Sequence, residues 1–112
     1  MDDTTKTRRM NDLFRQTFSP ALGKTVLTAG IADLPTETQL KIFGRVRAFQ
    51  NFTSDNDPRD EHDFGSFDID GVRVLWKIDY YARGSGLTAG SEDPADAART
   101  ERVITIMTAE EY

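Results

Sequence analysis

Residues 61–81 read EHDFGSFDIDGVRVLWKIDYY, and this stretch decides the fold because it places a tight turn between two alternating strands. Asp70-Gly71 is a preferred residue pair for a two-residue hairpin turn. With this pair at the tip, Ile69 lies opposite Val72 and Gly65 lies opposite Trp76. Because side chains alternate along a strand, one face of the hairpin is apolar. That face consists of Phe67, Ile69, Val72, Val74, Trp76 and Ile78.

The other face of the hairpin is polar. Asp68 lies opposite Arg73, which is a favourable cross-strand pair. Lys77, Asp79 and Tyr81 share this face by the same alternation. We therefore expect the apolar face to pack against helices and the polar face to be the more open one.

Two segments have the spacing of amphipathic helices. The first runs from about Thr5 to Thr17 and the second from about Pro35 to Phe49, where proline suits the first helical turn. The residues expected to face the core are Met10, Leu13 and Phe14 in the first helix, and Leu40, Phe43 and Val46 in the second.

The remaining segments complete an α+β domain. Strands are predicted at residues 24–30 and in the apolar run that begins at residue 102, which suits a central strand. A short helix is predicted from Asp93 to Ala98, after a glycine-rich flexible loop at 83–92. We expect one domain over residues 1–112 with a frayed N-terminus at 1–9. Its sheet would be mainly antiparallel, with about four strands, the Asp70-Gly71 hairpin at its centre, and two amphipathic helices packed against it.

Composition excludes several classes of function. The chain carries a formal net charge of −5 and has no cysteine, which argues against a basic nucleic-acid footprint and against disulfides or thiolate chemistry. Neither an apolar export segment nor a run of the ~20 residues that span a membrane is present. These features predict a cytoplasmic protein. Nucleic-acid contact stays a minor alternative, since both helices have a basic side formed by Arg8, Arg9, Arg15, Lys41, Arg45 and Arg47.

The open end of the hairpin holds the candidate catalytic residues. If the strand register continues outward, His62 lies opposite Asp79, and a carboxylate can orient an imidazole as a general base. Lys77 would lie beside this pair. No nucleophile accompanies these residues, so a surface His–Asp contact is the favoured interpretation and a catalytic site is the alternative.

The loop before the hairpin is acidic and offers oxygen ligands for a divalent cation. The candidate ligands are Asp55, Asp57, Asp60 and Glu61, in an acidic cluster that also contains His62 and Asp63. However, Arg59 takes the third ligand position of a calcium-loop pattern, and the required glycine and closing glutamate are missing. We therefore predict a loop in which aspartates cap turns, with no metal. We also predict no cofactor, since the glycines near Gly84 are followed by no phosphate-binding lysine.

Several long stretches resemble one bacterial family. These are NDLFRQTF (11–18), GIADLP (30–35), the run from Phe52 to Tyr81, SEDP (91–94) and ITIMTAEEY (104–112). They are similar to the domain-of-unknown-function family numbered 3768, over nearly the whole chain from about Asn11 to Tyr112. The resemblance implies a small intracellular protein, common in alphaproteobacteria and often encoded on plasmids and other mobile elements. It implies no catalytic residues.

Two classes of function follow from these observations. The favoured one is a non-enzymatic protein-interaction module, which binds a protein partner or self-associates and serves a mobile element by modulating host defence or DNA handling. Its contact residues would be Asp68, Arg73, Lys77 and Tyr81. The alternative is a small hydrolase or nuclease-like enzyme that uses His62, Asp79, Lys77 and the acidic loop.

Overall fold

The computed structural model describes all residues from 1 to 112, and they form one α+β unit. No helix in it has the length and apolar character needed to cross a membrane. Its helices are α1 (Asp3–Thr17), α2 (Ala29–Ala32) and α3 (Thr36–Ala48), and a final 3-10 turn spans Ala109–Glu111. Its strands are β1 (Gly23–Leu27), β2 (Phe64–Ile69), β3 (Val72–Ala82) and β4 (Thr100–Thr108).

The four strands form a single mixed sheet in the order β1-β4-β3-β2. β3 is antiparallel to both β2 and β4, as expected, but β1 is parallel to β4. The sheet is therefore mixed: two of its three strand pairings are antiparallel, and the pairing of β1 with β4 is parallel. The direction of β1 depends on a long crossover through α2, α3 and the hairpin, which local sequence patterns do not reveal. The predicted central position of the last strand is confirmed. The predicted central position of the Asp70-Gly71 hairpin is wrong, because its strand β2 forms one edge of the sheet and β4 takes the place beside β3.

The hairpin register is confirmed at every pair. Gly65 lies opposite Trp76, and Asp68 lies opposite Arg73, whose Nε is 2.7 Å from the Asp68 Oδ1. Asp70 and Gly71 have φ angles of 49° and 79°. Positive φ at both central residues is what a type I′ turn requires, and that turn matches the twist of the two strands.

The core lies between one face of the sheet and the helices α1 and α3. Trp76 is fully buried at its centre, edge-on to Phe49 with ring centroids 5.6 Å apart. The assignment of the apolar hairpin face to the core is thus confirmed. The core cluster consists of Phe14, Ile31, Ile42, Val46, Phe49, Phe67, Val74, Trp76, Ile78, Ile104 and Ile106.

The predicted buried stripes of both helices are partly wrong. Leu13 is 53% exposed and Leu40 is 64% exposed, whereas Asn11, Arg15 and Thr38 are buried. Apolar periodicity misplaces these faces because polar side chains occupy the inward positions and hydrogen-bond there.

Three features of the helices also differ from prediction: the start of α1, a predicted helix that is absent, and an additional short helix. α1 begins at Asp3, with the Asp2 carboxylate accepting the Thr5 N–H at 2.8 Å, so part of the segment expected to fray is helical. Residues 93–98 form turns rather than a helix. The four-residue α2 was not predicted.

Glu111 fastens the end of the chain to the segment that follows β1. Its carboxylate accepts hydrogen bonds from the Gly30 N–H at 2.9 Å, from the Thr108 N–H at 3.0 Å and from the Thr28 hydroxyl. The Thr28 hydroxyl and these backbone donors lower the pKa of Glu111 to about 2. The carboxylate thus joins the ends of the two parallel strands.

Gly65 leaves the space that Trp76 and Phe49 fill. A Cβ at this position would lie 2.5 Å from the Trp76 Nε1 and 2.8 Å from ring carbons of Phe49. We expect Gly65→Ala to lower the free energy of unfolding by about 1–3 kcal/mol, because the rings must shift within a packed core. Gly44→Ala is the matched control, since a Cβ added at Gly44 would meet nothing within 4 Å outside α3 itself and a helical alanine should add about 0.5–1 kcal/mol. Denaturant unfolding measures both; equal effects would contradict this packing.

The lowered pKa of Glu111 predicts how the stability of the fold depends on pH. Its pKa falls from 4.5 to about 2 on folding, so its contribution to stability is fully present above pH 4.5 and is lost as the pH falls towards 2. We expect Glu111→Gln to lower the melting temperature most at neutral pH, with the difference from wild type shrinking as acid protonates the wild-type carboxylate. Thermal melts across this pH range measure it. A difference that does not vary with pH would contradict the prediction.

Candidate functional site

The structure separates the three predicted catalytic residues. Lys77 and Asp79 lie on the sheet face away from the helices, where the Lys77 Nζ is 3.1 Å from the Asp79 Oδ2. His62 instead lies against α1, where its Nδ1 is 2.8 Å from the Asp12 Oδ1. The predicted pairing of His62 with Asp79 is therefore wrong.

The pairing fails because the ladder ends before His62. The last β2–β3 pair is Phe64 with Lys77, followed by one hydrogen bond from the Ile78 N–H to the Asp63 carbonyl oxygen at 2.8 Å. His62 itself has a φ of 56°, in the left-handed region. This conformation is incompatible with an extended strand, so the alternation of side chains cannot be continued past Phe64.

His62 is held between a carboxylate and an aromatic ring. Its imidazole stacks on Phe52 with ring centroids 3.8 Å apart and planes 3° from parallel. The Asp12 Oδ1 that contacts its Nδ1 also accepts a hydrogen bond from the Arg15 Nη2 at 3.0 Å. Asp12 therefore joins the acidic loop to the buried side of α1.

Arg15 is a buried cation with several partners. Its side chain is 3% exposed, and its Nη1 donates to the carbonyl oxygens of Val46 at 2.8 Å and Arg47 at 3.0 Å. Its guanidinium carbon lies 5.5 Å from the centroid of Phe52 and 5.4 Å from that of Trp76. The Val46 carbonyl oxygen also accepts the Phe49 N–H of the helix cap at 3.3 Å, so Arg15 adds a second donor there. The positive charge of Arg15 is one that the dipole at the end of α3 favours.

The acidic loop is organised by its own aspartates. The carboxylate of Asp57 is buried and accepts the N–H groups of Glu61 at 3.0 Å and His62 at 3.1 Å. Asp60 pairs with Arg8 of α1 at 2.8 Å. These contacts are those expected of turn-capping aspartates.

Three side chains in this loop are close enough to share a cation. Asp57, Asp60 and His62 each place one ligand atom within 4.8 Å of the others. Each of the three already has a partner in the protein, and the candidates Asp55 and Glu61 lie outside the group. Two of the four predicted carboxylate ligands, Asp57 and Asp60, are thus brought together with His62, which the sequence places in the same acidic cluster.

A buried polar network connects α1, the acidic loop and the two central strands. The Arg102 Nε donates to the Asn11 Oδ1 at 2.7 Å, and the Asn11 Nδ2 donates to the Tyr80 hydroxyl at 2.7 Å. That hydroxyl donates in turn to the Glu61 carboxylate at 3.0 Å. Burial raises the pKa of Tyr80 and lowers the pKa of Arg102. The network fixes the position of the loop relative to β3 and β4.

The sheet face away from the helices is called here the outer face. The four residues predicted to contact a partner, Asp68, Arg73, Lys77 and Tyr81, all lie on it, as the register requires. The outer face consists of Phe64, Ser66, Asp68, Arg73, Leu75, Lys77, Asp79 and Tyr81 of the hairpin, Lys24 and Val26 of β1, and Glu101, Val103, Thr105 and Met107 of β4.

A shallow cavity of about 380 Å³ lies at one end of the outer face. Asp55, Asp63, Lys77 and Asp79 line it, and Tyr112 closes one side with its ring edge-on to Phe64 at 6.1 Å. Burial, followed by the nearby charge of Glu61, raises the pKa of Asp63. His62 lines a different cavity, of about 370 Å³, on the other side of the loop.

Sequence reasoning missed Asp12 and Phe52 as partners of His62, and Arg15 as the buried partner of Asp12. The available signal was weak: polar residues at the inward positions of α1, next to a buried phenylalanine. A buried arginine cannot be told from a solvated one by spacing alone, because both fit an amphipathic pattern with charged flanks.

The contact between Asp12 and His62 should be energetically coupled. We expect Asp12→Ala to lower the free energy of unfolding by about 1–3 kcal/mol, since it also leaves buried Arg15 with one acceptor fewer. His62→Ala should cost less, and the double variant should reveal a coupling of about 1 kcal/mol. Chemical denaturation of the four proteins measures the cycle, with Asp79→Ala as a control that should not couple to Asp12. Strictly additive effects of Asp12 and His62 would contradict the contact.

Comparison with known proteins identifies a family for this chain but assigns no activity to it. No curated protein and no solved structure matches the chain. A family model described as "Protein of unknown function (DUF3768)" matches residues 27–111, a range that contains the acidic loop and the hairpin but not Asp12 or Arg15. The match spans well over half of the sequence, and the resemblance seen in the sequence is confirmed: the chain belongs to the DUF3768 family.

Proposed function

We propose that the chain is a non-enzymatic protein-interaction module that binds a partner protein through its outer face. One observation carries this proposal: α1 and α3 pack on the same side of the sheet, and no helix covers the other side. A sheet with one face on the core and one face towards solvent is common in antiparallel folds, so the composition of the outer face decides the argument.

The outer face combines apolar and charged side chains. On its two middle strands Leu75 lies directly opposite Met107, and Asp79 lies directly opposite Val103. Val103 and Met107 are buried and Leu75 is half-buried, so the surface that a partner would meet is formed mainly by charged groups. These groups form three ion pairs, namely Asp68–Arg73, Lys77–Asp79 and Lys24–Glu101, and they supply the kind of polar rim that protein–protein interfaces have.

The rim residues can exchange partners at little cost. Arg73 and Asp68 are 54% and 66% exposed, and Lys77 and Asp79 are 42% and 39% exposed. Ion pairs at such exposed positions contribute little to folding stability, so a partner that offers its own charges can replace them. Tyr81 adds an amphipathic ring, a residue type that is enriched at interfaces.

The separation of the predicted catalytic residues also favours binding over catalysis. General acid–base chemistry requires the acting groups within hydrogen-bond reach of one substrate. Lys77 and Asp79 line the outer cavity, whereas His62 lines the cavity on the other side of the loop.

The basic side chains of the helices are largely occupied by the protein itself. Arg15 is buried, Arg8 pairs with Asp60 at 2.8 Å, and Lys41 pairs with Asp70 at 3.3 Å. Together with the net charge of −5, these contacts support a protein partner rather than a nucleic acid. The cytoplasmic setting, the link to a mobile element and a partner in host defence or DNA handling stay predictions from the sequence.

The proposal predicts that a charge reversal on the outer face weakens partner binding. Affinity capture from the native host with tagged wild-type protein identifies the partner, and the purified pair is then measured by calorimetry. We expect Lys77→Glu to weaken this binding by about tenfold or more, because it places a third carboxylate beside Asp79 and Asp63. Lys6→Glu on exposed α1 is the matched control with the same change in net charge, and it should bind as wild type.

Three results bear on the outcome. Circular dichroism must show both variants folded. Equal loss of binding in Lys6→Glu and Lys77→Glu would show a general effect of charge and contradict the outer face as the site. Loss of binding in His62→Ala, with Lys77→Glu unaffected, would move the site to the helical side of the loop.

A further inference from the structure

The two edges of the sheet differ in how they are protected. At the β2 edge, the Arg45 side chain of α3 donates to the Asp68 carbonyl oxygen at 3.4 Å, and the Thr38 hydroxyl donates to the Asp70 carboxylate at 3.0 Å. At the β1 edge, by contrast, the consecutive residues Lys24, Thr25 and Val26 are all exposed. These three residues point to both faces of the sheet, so neither face is covered at the middle of β1, whereas Gly23 is buried and Leu27 packs against the core.

The backbone of β1 also has groups that point away from the sheet. Its ladder with β4 begins with the Arg102 N–H donating to Leu22 and ends with the Thr28 N–H donating to Ile106, both at 3.1 Å. In a parallel ladder alternate residues bond to the neighbouring strand. Residues 24 and 26 therefore bond to β4, and residues 25 and 27 direct their N–H and C=O groups outward. Such an edge is a template for another strand.

We propose that β1 pairs with β1 of a second copy of this chain, antiparallel and around a two-fold axis at Thr25. In this register the Thr25 residues of the two copies exchange both backbone hydrogen bonds, and Leu27 lies opposite Gly23 of the second copy. Gly23 is buried and its N–H already bonds to the Ser19 carbonyl oxygen at 3.3 Å, so at each end of the pairing only the Leu27 N–H donates, to the Gly23 carbonyl oxygen of the second copy. The two-fold axis makes the contact self-complementary. The threonines form a favourable cross-strand pair.

In this register the Lys24 side chains of the two copies do not lie opposite each other. Lysines on an edge strand usually oppose pairing, since like charges meet. Here Lys24 lies opposite Val26 of the second copy rather than opposite Lys24. Lys24 forms an ion pair with Glu101 of the neighbouring strand β4, with the Lys24 Nζ 3.8 Å from the Glu101 Oε2. Val26, which is 42% exposed in one copy, gains the aliphatic part of the lysine as a neighbour.

This pairing joins two sheets into one and places their outer faces side by side. It does not depend on the proposed binding of a partner protein, because the strand edge and the outer face are different surfaces. A dimer would nevertheless offer a partner two adjacent copies of the outer face.

A proline at position 25 tests the pairing. Thr25→Pro removes an N–H that points outward and leaves the N–H groups of Lys24 and Val26 bonded to β4, and proline is tolerated at such edge positions. In sedimentation experiments over a wide range of concentrations, we expect wild type to rise from the 12.6 kDa of one chain towards twice that mass. Thr25→Pro should stay at the mass of one chain, and Thr25→Val, which keeps the N–H and the β-branch, should behave as wild type.

A charge exchange tests the register and does not rely on proline. Val26→Lys places a lysine opposite Lys24 of the second copy and should weaken self-association by about tenfold or more. The double variant Lys24→Glu with Val26→Lys places a glutamate opposite each new lysine and should restore it.

Several outcomes would overturn the proposal. These are a wild-type chain that stays at the mass of one chain at the highest concentration, a folded Thr25→Pro variant that associates as wild type, or a double variant no stronger than Val26→Lys. If circular dichroism shows Thr25→Pro unfolded, the charge exchange alone decides. A chain that stays single but still binds its captured partner overturns the dimer and leaves the proposed function intact.

Discussion

The buried guanidinium of Arg15 constrains the whole helical side of this fold. A charge removed from water must be matched by hydrogen bonds, and here they come from Asp12 in the same helix and from the carbonyl groups of Val46 and Arg47. These bonds tie α1 to the end of α3 through the two terminal nitrogens of Arg15, while its buried Nε has no hydrogen-bond partner. Asp12 then fixes His62, so the position of the acidic loop follows from the same charge.

The hairpin was predictable because its determinants are local. Asp70-Gly71 sets the turn, and the register follows from counting outward, which placed Gly65 opposite Trp76 and all four predicted contact residues on one face. The same counting failed at His62, only two residues beyond the last ladder pair. A strand ends where its backbone leaves the extended region, and nothing in the letters EHD marks the left-handed φ of 56° at His62.

The helix faces and the direction of β1 depend on distant parts of the chain. Asn11 is buried because Arg102, far along the sequence, requires an acceptor in the core, while Leu13 is left exposed. Apolar periodicity cannot reveal this, since it assumes that inward positions are apolar. The parallel pairing of β1 with β4 similarly depends on a long connection, which contains α2, α3 and both strands of the hairpin. The candidate site was predicted least accurately, because its residues are far apart in sequence. His62 contacts Asp12, and Asp12 contacts Arg15, only in the folded chain.

His62 and Asp63 are consecutive residues that serve opposite sides of the sheet. His62 stacks on Phe52 and bonds to Asp12 on the helical side, whereas Asp63 lines the cavity on the outer face. On the helical side most polar groups are matched within the protein, although Arg15 Nε, Trp76 Nε1 and Arg102 Nη1 are buried without a hydrogen-bond partner. The charged groups on the outer side form exposed pairs, which contribute little to stability. We therefore expect a change in the loop to act on folding through His62 and, under the proposed function, on partner binding through Asp63. The loop connects the two properties because its strained turn must place both side chains at once.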